Sequence, residues 1–149
     1  MNTNNYSSNI LIIEDDADWS MTIKLCVDNI CSCAHVEIAE NFSEAFFYIE
    51  NNIFDLIILD IRLYDTGETF EGIHIFNYLQ ENKQDVPVVI VSAHARTEYI
   101  SDIFEIKNVR YFSKQRFDAV EFQNVVNSLL AKKITLPEKK DAQPVNELE

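Results

Sequence analysis

Three short runs in this chain, NILII at 9–13, FDLIIL at 54–59 and VPVVIV at 86–91, are largely continuous in Ile, Leu and Val. A strand with one face in water alternates apolar with polar residues. Unbroken apolar runs of this length therefore read as strands covered on both faces, as in a parallel sheet sandwiched between helices. AHVEIA at 34–39 and VRYF at 109–112 bring the number of runs to five. The first of these two alternates, as an edge strand with one wetter face does.

Helical periods fill the gaps between the runs. Asn41 followed three residues later by Glu44 has the pattern of a capping box, with Phe42, Phe46 and Ile49 along one face behind it. Asp118 and Glu121 repeat that pattern ahead of Phe122, Val125, Val126, Leu129 and Leu130, the clearest amphipathic stripe in the chain. Trp19, Ile23, Cys26 or Val27, and Ile30 place a helix after the first strand; Ile75, Phe76 and Leu79 place one after the third. Ile100, Ile103 and Phe104 give a weaker stripe for a fourth helix at 97–106. Strand and helix thus alternate five times, which right-handed crossovers turn into a doubly wound α/β fold. The expected architecture is a three-layer α/β/α sandwich around a five-stranded parallel sheet in the flavodoxin-like order 2-1-3-4-5.

At 149 residues the chain has the length of one domain, expected at 9–133, with a disordered N-terminus at 1–8. From 134 to 149 the sequence loses periodicity and gains Pro and charge, so a flexible tail or linker without an output domain is expected there. Twelve basic against 25 acidic residues give a formal charge of −13, which opposes docking on nucleic-acid backbones or anionic lipid. No apolar run approaches a membrane span and the first residues lack a signal-peptide pattern, so the expected location is the cytoplasm. Cys26, Cys31 and Cys33 match no strong zinc spacing and His35, His74 and His94 are scattered, so reduced thiols and no histidine metal site are expected.

If the strands are parallel, their carboxyl ends share one edge of the sheet. The first strand runs into Glu14, Asp15 and Asp16, the third into Asp60, the fourth into Ser92, and the fifth, two residues on, into Lys114. A lone aspartate after a strand also serves as a turn former or helix cap. Several carboxylates, one hydroxyl and one ammonium converging on one crevice ask for more. Crowded carboxylates repel unless a cation neutralises them or one keeps its proton. Mg²⁺ (or Mn²⁺) suits a few carboxylates plus waters and phosphate oxygens. Such a cleft suits a phosphoryl group, with Asp60 able to form an acyl phosphate and Lys114 and Ser92 to serve its oxygens.

ILIIEDD, LIILDIRL, VVIVSAHA and YFSKQ together resemble the receiver domain of the bacterial response-regulator family over roughly residues 9–131. That resemblance implies Asp60 as the phosphorylated residue, and Glu14, Asp15, Asp60 and the backbone carbonyl of Arg62 as metal ligands. It implies Ser92, Ala93 and Lys114 around the phosphoryl group and Tyr111 as an aromatic switch. Arg62 and His94 would modulate the phosphoryl group's lifetime, and Asp16 would be a loop residue. The partners implied are a histidine kinase or phosphotransfer protein, and a downstream protein met through the face of the fourth helix, fifth strand and fifth helix. A second receiver, in a homodimer, is one such partner. The domain would be a switch that accepts a phosphoryl group and takes part in its own phosphorylation and dephosphorylation, not an enzyme acting on a released substrate.

Two departures from the family pattern stand out. Gln115 occupies the position where Pro usually follows the Lys, which bears on how Lys114 is placed. The loop after the third strand is about four residues longer than the family pattern. Two rivals follow from the residues. A haloacid-dehalogenase-type phosphatase would carry a second Asp two after the nucleophile, where this chain has Arg62. A phosphorylation-independent binding module usually lacks an acidic-pair residue, the phosphoacceptor or the Lys, and all are present.

Overall fold

The computed structural model describes residues 7–61, 71–93 and 105–135, apart from the side chains of residues 71 and 132–135. In chain order they form β1 (Asn9–Ile13), α1 (Ala17–Ile30), β2 (His35–Ala39), α2 (Phe42–Asn51), β3 (Leu56–Leu59), α3 (Glu71–Asn82), β4 (Val88–Ser92), β5 (Val109–Ser113) and α4 (Ala119–Thr135). The expected helix at 97–106 falls mostly on residues outside this description. So do the first six residues and the tail from 136 onward.

The sheet has the order β2-β1-β3-β4-β5, and every neighbouring pair is parallel. Because side chains alternate across a strand, the continuous apolar runs feed two cores at once. Leu11, Ile13, Ile57, Leu59, Val88 and Ile90 face α2 and α3, where Ile49, Ile75 and Leu79 meet them. Ile10, Ile12, Leu56, Ile58, Val89 and Val91 face α1 and α4, where Ile23, Val27, Phe122 and Val126 complete the second cluster. These are the three layers that the unbroken runs called for. β2, the alternating run, lies at an edge and only Ala39 of its five residues is fully buried.

Helix starts follow the capping chemistry in the sequence. Asn41 Oδ1 accepts the Glu44 amide at 2.9 Å, while the Glu44 carboxylate reaches back one residue further than expected, to the Glu40 N–H at 2.9 Å. Asp118 Oδ1 accepts the amides of Val120 at 2.9 Å and Glu121 at 3.1 Å. Strand ends shift slightly from the apolar runs. β3 starts at Leu56, and just before it the Asp55 carboxylate accepts the Asn9 amide at 2.8 Å. β5 extends one residue further, to Ser113, whose register partner is Ser92.

Candidate functional site

Register brings the site together. Ile13 pairs with Leu59 and Leu59 with Ile90, so Glu14 and Asp60, one residue beyond these, emerge side by side at the carboxyl edge. The ladder continues through them: the Asp60 amide donates to Ile13 O at 2.9 Å and the Glu14 amide to Ala39 O at 3.0 Å. Both side chains are buried, Glu14 at 1% and Asp60 at 5% exposure. One carboxylate oxygen from each of Glu14, Asp15 and Asp60 can lie within 4.8 Å of the other two.

Asp16 stands apart from this group. Its Oδ1 accepts the amides of Asp18 at 2.9 Å and Trp19 at 3.2 Å, making it the N-cap of α1. The third acid of the EDD run therefore starts a helix, and its own amide donates to Glu14 Oε1 at 3.2 Å.

Lys114 follows β5 directly and opens a single 3-10 turn, Lys114–Arg116. Its Nζ lies 2.8 Å from Asp60 Oδ2 and 2.8 Å from Glu14 Oε2. The approach to Asp60 is a well-directed hydrogen bond. Glu14 Oε2 lies at the same distance from Nζ but has no hydrogen bond of good geometry among the described residues. One ammonium thus serves two buried carboxylates. Burial, reinforced by the charge of Asp60 and only partly offset by Lys114, pushes Glu14 up to about 8. The rise at Glu14 is the electrostatic cost of crowding two buried carboxyl groups around one ammonium. Burial alone would lower the Lys114 ammonium, but Asp60 and Glu14 outweigh it and hold it above the ordinary lysine value. Asp15 is raised too, mainly by partial desolvation of a carboxyl that still reaches solvent.

Ser92 ends β4, is 0% exposed, and its Oγ has no hydrogen-bond partner among the described residues. A buried hydroxyl without a partner forfeits about 1–3 kcal/mol, which sets Ser92 apart from the apolar residues that precede it on β4. Ala93 follows at a bend, half-buried. Tyr111 is half-buried on β5, and its hydroxyl donates to Ser92 O at 3.3 Å. Burial raises its phenol, the hydrogen bond with Ser113 opposes this, and the charge of Asp60 adds to the rise. Arg62 and His94 lie outside the described residues.

The donor set fits a divalent ion: three carboxylate oxygens within reach of one another, with one carboxylate oxygen and one hydroxyl lacking hydrogen bonds among the described residues. The sequence pattern of a response regulator receiver domain matches residues 10–127. The chain belongs to the response regulator receiver domain family. Receiver domains bind Mg²⁺ through acidic residues of this kind. Solved receivers share the fold. A CheY-like receiver domain protein from Methanospirillum hungatei is 22% identical, with a TM-score of 0.73 over 86% of this chain and 97% of that one. The non-phosphorylated HemR receiver domain from Leptospira biflexa is 26% identical, with a TM-score of 0.70 over 84% and 95%. The receiver domain of a Francisella response regulator is 23% identical, with a TM-score of 0.64 over 85% and 99%. Among curated proteins none matches.

As a receiver, the chain is a signalling module, and no described helix is long and apolar enough to cross a membrane. The Pro-to-Gln departure now has a local account. The Gln115 amide donates to Ser113 Oγ at 3.2 Å, a bond that proline cannot make. Lys114 reaches Asp60 all the same. Two features escaped the sequence reading. Trp19 lies under Lys114, with Nζ 5.3 Å from the ring centroid; its place four residues after Asp15, on the first turn of α1, was the available signal. Gly72 lies so close to the Asp60 and Ile61 carbonyls that a Cβ there would overlap them.

Proposed function

We propose that Asp60 is the phosphoryl acceptor of this receiver and that its phosphorylation repacks the carboxyl edge of the sheet. What carries the reading is a buried carboxylate held 2.8 Å from a largely buried ammonium, beside two further acids and a hydroxyl without a partner among the described residues. Asp60 Oδ attacks phosphorus in line, the new P–O bond forms as the P–N bond of a phosphohistidine breaks, and the electron pair leaves with the imidazole nitrogen. The donor fits as a histidine kinase or a phosphotransfer protein.

Glu14 and Asp15, with Asp60, would hold Mg²⁺, which supplies positive charge to the transferring oxygens. Lys114 gives its charge to one phosphoryl oxygen, the Ser92 hydroxyl donates to another, and Ala93 leaves room beside them. Drawing Ser92 toward the phosphoryl group pulls on the backbone that the Tyr111 hydroxyl already touches. The equilibrium between two packings of the surface around β5 and α4 then shifts, and that surface is where a downstream protein docks. The complete set of acids, hydroxyl and ammonium supports this reading over a phosphorylation-independent binding module.

Intact-protein mass after incubation with Mg²⁺ and acetyl phosphate tests it. The expected result is a single phosphoryl adduct, lost with hydroxylamine and absent in Asp60→Asn. An adduct that survives in Asp60→Asn, or none in the wild type, would overturn the assignment.

A further inference from the structure

Gln115 removes the ring that would stiffen the peptide after Lys114, yet Lys114 is only 10% exposed and reaches both carboxylates at 2.8 Å. A lysine carries four rotatable side-chain bonds, so something other than the backbone must hold it. Among the described residues, the other contact on its ammonium is the indole of Trp19, 5.3 Å from Nζ to the ring centroid. Trp19 is in turn fixed at both ends. Its amide is tied to the Asp16 cap, and its ring meets Phe117 edge to face at 5.4 Å and 85°. Phe117 packs on Phe122 at 5.2 Å, so the brace runs into the core beneath α4.

We infer that Trp19 is a positioning residue for Lys114, the face of its indole and the Phe117 brace doing in this receiver what a proline at 115 does not. The inference rests on the phosphoacceptor reading for its consequence, though not for its geometry. Cation–π attraction strengthens as water is excluded, and it is directional enough to favour the rotamer that points Nζ at Asp60. It also leaves Nζ its hydrogen bond to Asp60, because the two carboxylate contacts use at most two of its three N–H groups.

The test is the acetylation rate of Lys114 with limiting acetic anhydride, read by peptide mass against half-exposed Lys24 as internal reference, in the wild type, Trp19→Phe and Trp19→Leu. Losing the ring should speed Lys114 labelling roughly two- to fivefold in Trp19→Leu, with Trp19→Phe near wild type. The same order should appear as a slower adduct formation with acetyl phosphate. Equal labelling in the wild type and Trp19→Leu, or equally fast labelling in Trp19→Phe and Trp19→Leu, would overturn the inference. If the labelling order holds but no protein takes up a phosphoryl group, the positioning stands and the phosphoacceptor reading fails. Trp19 is the only tryptophan, so its emission is an independent measure should Trp19→Leu not fold: Lys114→Met must shift it, and an unchanged spectrum would also overturn the inference.

Discussion

The two ends of the same sheet handle polar groups in opposite ways. At the amino end, a cleft of about 470 Å³ is lined by Asn9, His35, Glu37, Glu50 and Lys83, among others. Its polar groups meet one another in the open: the Asn9 amide bonds Asp55, and His35 Nε2 lies 2.8 Å from Glu37 Oε1 with the histidine 63% exposed. At the carboxyl end, Glu14, Asp60 and Ser92 are buried, and two of their oxygens lack hydrogen bonds among the described residues. Having a cleft does not by itself mark the amino end, because a larger one of about 720 Å³ is lined by Ala17, Ser20, Glu40 and Glu44. Burial without satisfaction points to the carboxyl end, because folding leaves a polar atom dry and unpartnered only where something else supports the cost.

The largest expected effect comes from Gly72, which lets α3 start against the strand end that carries Asp60. Alanine is a better helix former by about 1 kcal/mol, but its Cβ would enter the space of two backbone carbonyls that no rotamer can move. Overpacking of that kind costs up to about 3 kcal/mol, so the clash wins and Gly72→Ala should lose about 2 kcal/mol in urea unfolding. A neutral or stabilised Gly72→Ala would show that the carboxyl edge yields more easily than its packing implies.

Next in size is Glu14. Its carboxyl holds a proton in the folded state up to about 8, whereas in the unfolded chain it ionises in the ordinary carboxylate range. Between those limits the folded state binds the extra proton, so stability without metal is greater at the acid end and falls as pH rises through about 8. Glu14→Gln should flatten that dependence and raise stability near neutrality by about 1 kcal/mol, while weakening Mg²⁺ binding. With Glu14 as a metal ligand, as proposed, Mg²⁺ would displace the proton, so its apparent affinity should rise with pH until about 8 and then level off. Calorimetry in buffers of different ionisation enthalpy reads the released proton directly. No proton released at pH 7 would contradict the account of Glu14.

Much of this was legible before the fold was described. Continuous apolar runs specify strands covered on both faces, and parallel strands bring their carboxyl ends to one edge, so Glu14, Asp60, Ser92 and Lys114 could be assembled from spacing. The capping patterns at Asn41 and Asp118 were equally local. The resemblance also set Asp16 apart from Glu14 and Asp15, but not its work as the N-cap of α1, because an acid that caps a helix and one that merely sits in a loop look alike in sequence. The role of Trp19 could not be read either, because its stripe suited a core position as well as a place under Lys114. Gly72 depends on a carbonyl eleven or twelve residues away in sequence, a closeness that only the packing of α3 creates.

The smallest expected effect belongs to the amino end. His35 and Glu37 are two apart on an edge strand and largely in water, where such a pair contributes about 0–1 kcal/mol and is screened by salt. His35→Ala should therefore shift the unfolding free energy by no more than about 0.5 kcal/mol and leave both Mg²⁺ affinity and acetyl phosphate labelling at wild-type values. The physical reason is distance along the strands as well as exposure, since His35 pairs with Asn9 at one end of β1 and Glu14 follows its other end. A change in Mg²⁺ affinity in His35→Ala would mean that the two ends of β1 are coupled, and the contrast between them would no longer separate a satisfied surface from a site awaiting its ligand.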